Sequence, residues 1–347
     1  MSPLAMKAHR RFFGDQARWS VWEIAFWLAW LVAFFLPNAN LALLTQILVW
    51  GLFAVSMDLL LGYRGLPSFG QAAFFGIGAY AAGVLAKLGW TEPVSGLVVS
   101  ALVAGLVGMA AGRVVRGLHG VALLMVTLGL NSLLYDFVQR STELTGGDDG
   151  LPGVTIAPVL GLFRFDMAGR TGYLYTLLCC FVVMVLLRAL LNSPFGLALR
   201  GARDNARRMQ MLGAPIDRDL SLVMGLSAAV AGLAGALLTQ TTQFVAPEAL
   251  SFQRSADVLV ILVIGGAGML YGGFIGALAF IFLRDLFAAI NPIYWYFWIG
   301  LMLVLTVTFF RRGLLPALAS LKDRIRRPVN RSTTVESARP AAEEVAR

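Results

Sequence analysis

Apolar runs of membrane-spanning length recur along almost the whole chain, and they decide what it can fold into. A helix that crosses the hydrocarbon core needs about 20 mostly apolar residues, because the core is about 30 Å thick and each residue advances about 1.5 Å. On that template about ten segments qualify. They lie near 20–36, 41–61, 68–88, 94–112, 118–138, 172–191, 220–244, 256–271, 272–290 and 293–310. Composition agrees: 58% of the 347 residues are hydrophobic and only 14% are charged, against roughly 25% charged in an average soluble domain. A soluble fold could not hide that much apolar surface. The expectation is an all-α integral membrane protein, a polytopic bundle of about ten transmembrane helices.

The pair 256–271 and 272–290 has no polar loop between its members, only Gly265, Gly266, Gly268, Gly272 and Gly273. Two tightly turned helices, one broken helix and a re-entrant pair all fit that pattern. The first segment follows Lys7, Arg10, Arg11 and Arg18 in the manner of a signal peptide. No small-residue cleavage site follows it, so a retained anchor is expected.

Charge sets the orientation. Ten crossings with the N-terminus in the cytoplasm put the C-terminus there too. Of the 28 Lys and Arg, only Lys87, Arg140, Arg164, Arg170 and Arg254 then fall outside, with Arg284 inside a segment. That excess on one side is the positive-inside pattern. It accounts for the net charge of +9 without nucleic acid. The expected layout is a cytoplasmic arm over 1–19, a transmembrane domain over 20–312 and a polar, partly disordered cytoplasmic tail over 313–347. Two loops stand out, one at 139–171 on the periplasmic side and a basic one at 192–219 in the cytoplasm.

Few residues are equipped for catalysis. Cys179 and Cys180 are adjacent in an apolar run, and His9 and His119 are the only histidines, so no metal site, cofactor or disulfide framework is expected. No phosphate-binding P-loop surrounds Lys7, Lys87 or Lys322, and no G-x-S-x-G elbow occurs. The 37 glycines sit largely inside the segments, for example Gly108 with Gly112, Gly268 with Gly272 and Gly272 with Gly276. In lipid, such small residues let helix backbones approach closely.

Charges within the apolar segments each cost about 3 kcal/mol at mid-helix on insertion scales. Glu23, Asp58, Asp136 and Asp257 lie near segment ends and read as interfacial. Arg284 and Asp285 lie deeper, but neighbours on a helix point about 100° apart, and Arg284 can snorkel outward. A proton relay would need carboxylates along one face, and none is found. Neutral polar residues at mid-depth include Gln46, Ser68, Gln71, Thr127, Asn131 and Ser132. They must bond either to neighbouring helices or to a substrate in a wet path, and Ser68, Gln71, Thr127 and Asn131 are the candidate path-lining residues.

The basic loop carries the most information. Its sequence runs SPFGLALR over 193–200, then Arg203, Asp204 and Asn205, then Leu212 and Gly213. Pro194 opens a helix well because its missing N–H is unneeded there, and Gly213 ends one by accepting positive φ. The pattern predicts a short amphipathic helix, helical from 197 to 212, with Leu199 and Met209 among arginines. Those arginines could meet acidic groups on a partner or anionic lipid headgroups.

This stretch resembles the cytoplasmic coupling loop of ABC importer permeases of the branched-chain amino acid type. MDLLLGY (57–63), SFGQAAFFGIGAY (68–80), VTLGL (126–130), LTGGDDGL (144–151) and the run from Pro247 to Ala277 resemble the same family. The likeness spans about 41 to 310, and the LTGG element is similar to the M-type subunit. The resemblance implies a non-enzymatic permease in a bacterial inner membrane. Its implied partners are a second permease subunit (forming a heterodimer), two cytoplasmic ATPase subunits and a periplasmic substrate-binding protein. Pro194, Phe195, Gly196, Arg200, Arg203, Asp204, Asn205 and Gly213 match the coupling segment. Ala206 stands where the family commonly has Glu, Arg208 and Met209 replace an Ala pair, Gln71 replaces a frequent His, and His119 replaces an Arg. Branched-chain amino acids are the implied substrates, with urea, amides or small carboxylates carried by related systems. A stand-alone secondary carrier is the alternative outside this family.

Overall fold

The computed structural model describes residues 21–36, 40–158 and 169–290, together with Tyr294, Phe297, Trp298, Gly300, Leu301, Val304 and Thr308. The arm 1–19, the tail 313–347, part of the loop 139–171 and most of the segment 293–310 lie outside the described residues. Among those described the structure is helical, apart from one isolated antiparallel bridge between Leu151 and Val245. The main helices are α1 Val21–Phe35, α2 Leu41–Asp58, α3 Gln71–Lys87, α4 Pro93–Val114 and α5 Val121–Arg140. They continue with α6 Arg170–Leu191, α7 Pro194–Met211, α8 Ile216–Thr242, α9 Phe252–Gly265 and α10 Gly272–Ile290. A wider π turn, Leu59–Arg64, extends α2.

Local sequence sets several ends. The Asn40 side chain accepts the Leu43 N–H at 3.2 Å and caps α2, while Ser251 caps α9 through the Arg254 N–H at 3.4 Å. Each satisfies a donor that the first helical turn would leave bare. Pro93 and Pro194 open α4 and α7, where a missing N–H costs nothing.

Each expected segment up to 272–290 overlaps an apolar helix, 68–88 from Gln71 onward and 256–271 only as far as Gly265. Among the described residues, six stretches are long and apolar enough to cross a membrane: Leu41–Arg64, Pro93–Val114, Val121–Arg140, Arg170–Leu191, Ile216–Thr242 and Gly272–Ile290. The remaining apolar helices are shorter: α1 has 15 residues, α3 has 17 and α9 has 14. For α3 and α9 the shortfall follows from where they begin.

After Arg64 the chain turns at Gly65 (φ 75°) and doubles back along α2. The Gln71 Nε2 donates to Ser227 Oγ at 2.8 Å, and Ser227 Oγ donates to the Ser56 carbonyl at 2.5 Å. Ser56 lies more than two turns before Arg64, about 12 Å along the axis. Helix α3 therefore starts inside the bundle. From the opposite end, residues 243–251 descend until the Leu250 carbonyl accepts Asn131 Nδ2 at 2.9 Å, midway along α5, and α9 starts there. Ser255 joins the two re-entrant segments: its Oγ accepts the Ala72 N–H at 3.0 Å and donates to the Phe69 carbonyl at 2.7 Å. Non-helical backbone at this depth is tolerable because protein surrounds it.

Helix α8 is the axis of the bundle, with α2, α3 and α4 packed on it. A Cβ on Gly108 would come within 2.2 Å of Ala228, and one on Gly78 within 2.1 Å of the Gly232 carbonyl. Small residues thus bring α3 and α4 onto α8 backbone to backbone. That is how helices associate in lipid, where burial of apolar surface supplies no drive. Helices α9 and α10 form a tight hairpin through Gly266 (φ 108°) and Gly268 (φ 85°), which resolves the glycine cluster into two turned helices. On the other flank α6 packs against α2, and the Tyr173 hydroxyl donates to the Trp30 carbonyl of α1 at 2.6 Å.

Candidate functional site

Helix α7 is amphipathic in the expected sense. Gly196, Leu199 and Ala202 are buried in one stripe, while Leu197, Arg200, Arg203, Asp204, Asn205, Arg207 and Arg208 are exposed. It differs from the expected continuous helix over 197–212, because it is broken at Asn205 (φ −158°, ψ 97°). The cause is local. The Asn205 Oδ1 accepts the Arg208 N–H at 2.9 Å, the bond an N-cap makes, so Asn205 ends one helix and starts another. The second piece folds back until Met209 Sδ lies 2.8 Å from where a Cβ on Gly201 would stand. Gly213 (φ 84°) closes it.

The seat of α7 is built around three clasps. A Cβ on Gly196 would lie 2.1 Å from the Leu191 carbonyl, so only glycine lets α7 turn so closely off α6. Arg200 donates to that carbonyl at 3.3 Å and lays its guanidinium over the Tyr63 ring, 5.5 Å from its centroid. Arg203 donates to the Gly62 carbonyl, and its Nη1 lies 3.2 Å from where a Cβ on Gly268 would stand. The Gly268 N–H in turn donates to Asp58 Oδ1 at 2.6 Å. Asp58 thereby ties the end of α2 to the α9–α10 turn, and Arg203 grips the same spot. Bonds to charged groups contribute about 1.5–3 kcal/mol each, enough to hold a helix that buries only one narrow stripe. Through the chain α7 is joined to α6 and α8, and through these bonds it touches the end of α2 and, beside it, the α9–α10 turn.

Asp58 is where the sequence reading falls short. It is 1% exposed and holds the seat together, whereas its place near a segment end suggested an ordinary interfacial carboxylate. Its proximity to Gly62, where a Cβ would come within 1.9 Å of Asp58 Oδ1, was a usable signal: an i, i+4 carboxylate–glycine pair leaves the carboxylate free to reach a third chain segment. Arg284 and Asp285 also differ from expectation, for they do pair, at 3.0 Å. Pro194, Phe195 and Gly213 mark the ends of α7, with Phe195 half-buried against the core.

The four mid-depth residues come together in one layer. Ser68, Gln71, Thr127 and Asn131 are all at most 4% exposed. Thr127 Oγ1 accepts the Phe69 N–H at 3.2 Å and donates to the Leu124 carbonyl at 3.1 Å. Ser68 Oγ accepts the Gly70 N–H at 3.2 Å. Each therefore serves backbone that the re-entrant segments would otherwise leave unpaired, a need that follows from low dielectric. Within this layer and among the described residues, Gln71 Oε1 and Asn131 Oδ1 are buried acceptors without a partner.

The family model described as branched-chain amino acid transport system / permease component matches residues 40–307. The high-affinity branched-chain amino acid transport system permease protein LivM of Escherichia coli (strain K12) is 29% identical over 315 residues, covering 83% of this chain and 73% of the relative. The probable LivM of Methanocaldococcus jannaschii is 22% identical, covering 71% of this chain and 82% of the relative. LivH of Escherichia coli (strain K12) is 26% identical, with 66% and 78% covered. No solved structure matches.

Proposed function

The chain belongs to the branched-chain amino acid transport permease family, and from that premise we propose that α7 is the handle by which separate ATPase subunits drive it as the M-type membrane subunit of an importer. It is a multi-pass membrane protein and the permease component of an ABC system. Its implied partners are a second permease subunit and ATPases. On this proposal the chain crosses a bacterial inner membrane ten times with both termini in the cytoplasm. The boundaries 1–19, 20–312 and 313–347 then separate arm, permease domain and tail, loop 192–219 faces the ATPases, and loop 139–171 faces a periplasmic binding protein. The one-sided distribution of arginines supports that orientation. The permease itself hydrolyses nothing; ATP is spent by its partners.

One observation carries this reading above the others: Arg203 on α7 and Asp58 on α2 converge on the Gly62–Gly268 contact. A push on the exposed face of α7 reaches α2, α6, α8 and the α9–α10 turn at once, which suits rigid-body alternating access. Ser68, Gln71, Thr127 and Asn131 would then flank the path where the two re-entrant segments meet, with Gln71 and Asn131 each offering a free acceptor. The relatives named for branched-chain amino acids favour leucine, isoleucine and valine over urea, amides or small carboxylates.

The test is ATP-driven uptake of radiolabelled leucine into proteoliposomes holding the chain, its partner permease, the ATPases and the binding protein. Arg203→Glu combined with Asp204→Arg should cut uptake about tenfold or more by reversing charge at the clasp, with the complex still assembled. Unimpaired uptake would contradict the role of α7. Solute movement by the purified chain without ATPase subunits would instead favour a secondary carrier.

A further inference from the structure

Outside the layer and the seat already described, the described residues line a strongly charged cavity. It measures about 350 Å³ and is lined by Trp50, Glu248, Ser251, Arg254, Asp257 and Arg284 among others, a size within the range of small-molecule sites, about 300–1,000 Å³. Its place is unusual for such residues. Arg284 lies about 18 Å along α10 from Gly272, at 1.5 Å per residue, and Arg254 and Asp257 sit in the first turns of α9, which begins inside the bundle. Charges at that depth cost about 3 kcal/mol each on insertion scales. They persist where they face water, a partner or a ligand, and lipid is the one neighbour they cannot face cheaply.

The charges are arranged with opposite signs on one wall. The Arg254 guanidinium lies over the Trp50 ring at 5.1 Å, and no carboxylate stands within ion-pair distance of it among the described residues. Asp257 accepts only the neutral Gln253 Nε2, at 3.2 Å. Arg284 is engaged by Asp285, and the Glu248 side chain is exposed beside the cavity. Beneath them Trp50 (5% exposed) and Phe280 (3% exposed) form an apolar base. The first turn of α9 adds N–H groups at its positive dipole end. Two cations, of which Arg284 is paired with Asp285, two anions and a greasy base in one cavity fit a molecule carrying both charges and an aliphatic side chain.

We propose that this cavity is a station for a zwitterionic amino acid on the translocation path, with Arg254 taking the carboxylate, Asp257 and Glu248 the ammonium, and Trp50 with Phe280 the side chain. The proposal rests on the permease reading and adds to it where the substrate pauses. It also separates zwitterions from urea, amides and simple carboxylates, none of which carries both charges.

The test uses the full importer in nanodiscs, with Cys179 and Cys180 replaced by Ala and Gln253→Cys as the reporter. Ser251→Cys serves as a second reporter should the first disturb Asp257. A water-soluble methanethiosulfonate reagent should modify the reporter, and leucine should slow the modification. 4-Methylpentanoate, which lacks the ammonium, and leucinamide, which lacks the carboxylate, should protect far less. Arg254→Gln should raise the leucine concentration for half-protection by about tenfold or more while leaving the weak protection by leucinamide unchanged. A purely structural arginine would weaken both ligands alike. Equal modification rates with and without leucine, or equal protection by all three compounds, would overturn the proposal. Leucine uptake by the unmodified importer is scored separately. Its absence would count against the transport reading, and the protection pattern would still decide the cavity.

Discussion

The contact of α3 and α4 with α8 and the contact of α7 with the bundle are made by different means. The first is backbone against backbone: a Cβ on Gly232 would meet the Ala104 methyl at 2.4 Å. The second consists of a glycine turn, one cation over one ring and two bonds to backbone groups. Close packing tolerates no added volume and offers no intermediate arrangement. Polar clasps can be weakened one at a time without unfolding what they hold. On the proposed function, the bundle would move as whole bodies and the α7 seat would be the joint through which they are moved.

The largest effect should come from filling the tight contact. Gly232→Leu overpacks α8 against α3 and α4 at a cost of about 3 kcal/mol or more. Size-exclusion profiles of the detergent-solubilised chain should show loss of the monodisperse peak, and a normal peak would break the comparison. The Arg203/Asp204 exchange ranks second, since it should spare that peak and still cut uptake about tenfold or more. The smallest effect belongs to the kink. Asn205→Ala removes an N-cap worth about 1 kcal/mol, so amide exchange over 206–211 should quicken about fivefold while exchange in α8 stays unchanged. Protection in α8 falling alongside would mean that joint and body are not separate.

Much of this was legible beforehand, and the misses share a cause. Pro194 and Gly213 announced the limits of α7 because their backbone preferences are local. The kink did not show, since Asn205 suits a helix surface and becomes a cap only once its amide meets the Arg208 N–H. Segment 68–88 read as helix from its first residue because hydropathy reports polarity and not backbone conformation, although Pro67 and Pro247 both stand in the re-entrant segments. Likewise Arg254 counted as an external charge, Asp257 as an interfacial one and Arg284 as a charge within a segment, and nothing in the sequence joined them. Only the α9–α10 hairpin puts them on one wall, and no spacing rule encodes that. Ser68, Gln71, Thr127 and Asn131 were picked out for their polarity at depth, and the structure gathers them in one layer.

On the proposed function, α7 is the face a separate motor grips. A photo-crosslinking residue in place of Arg207, on the exposed side of α7, tests it directly in the assembled importer. Mass spectrometry of the irradiated complex should find residue 207 joined to an ATPase subunit, with the yield changing as ATP is bound. Recovery of position 207 crosslinked only to lipid or to the periplasmic binding protein, in a complex that still imports leucine, would contradict the account.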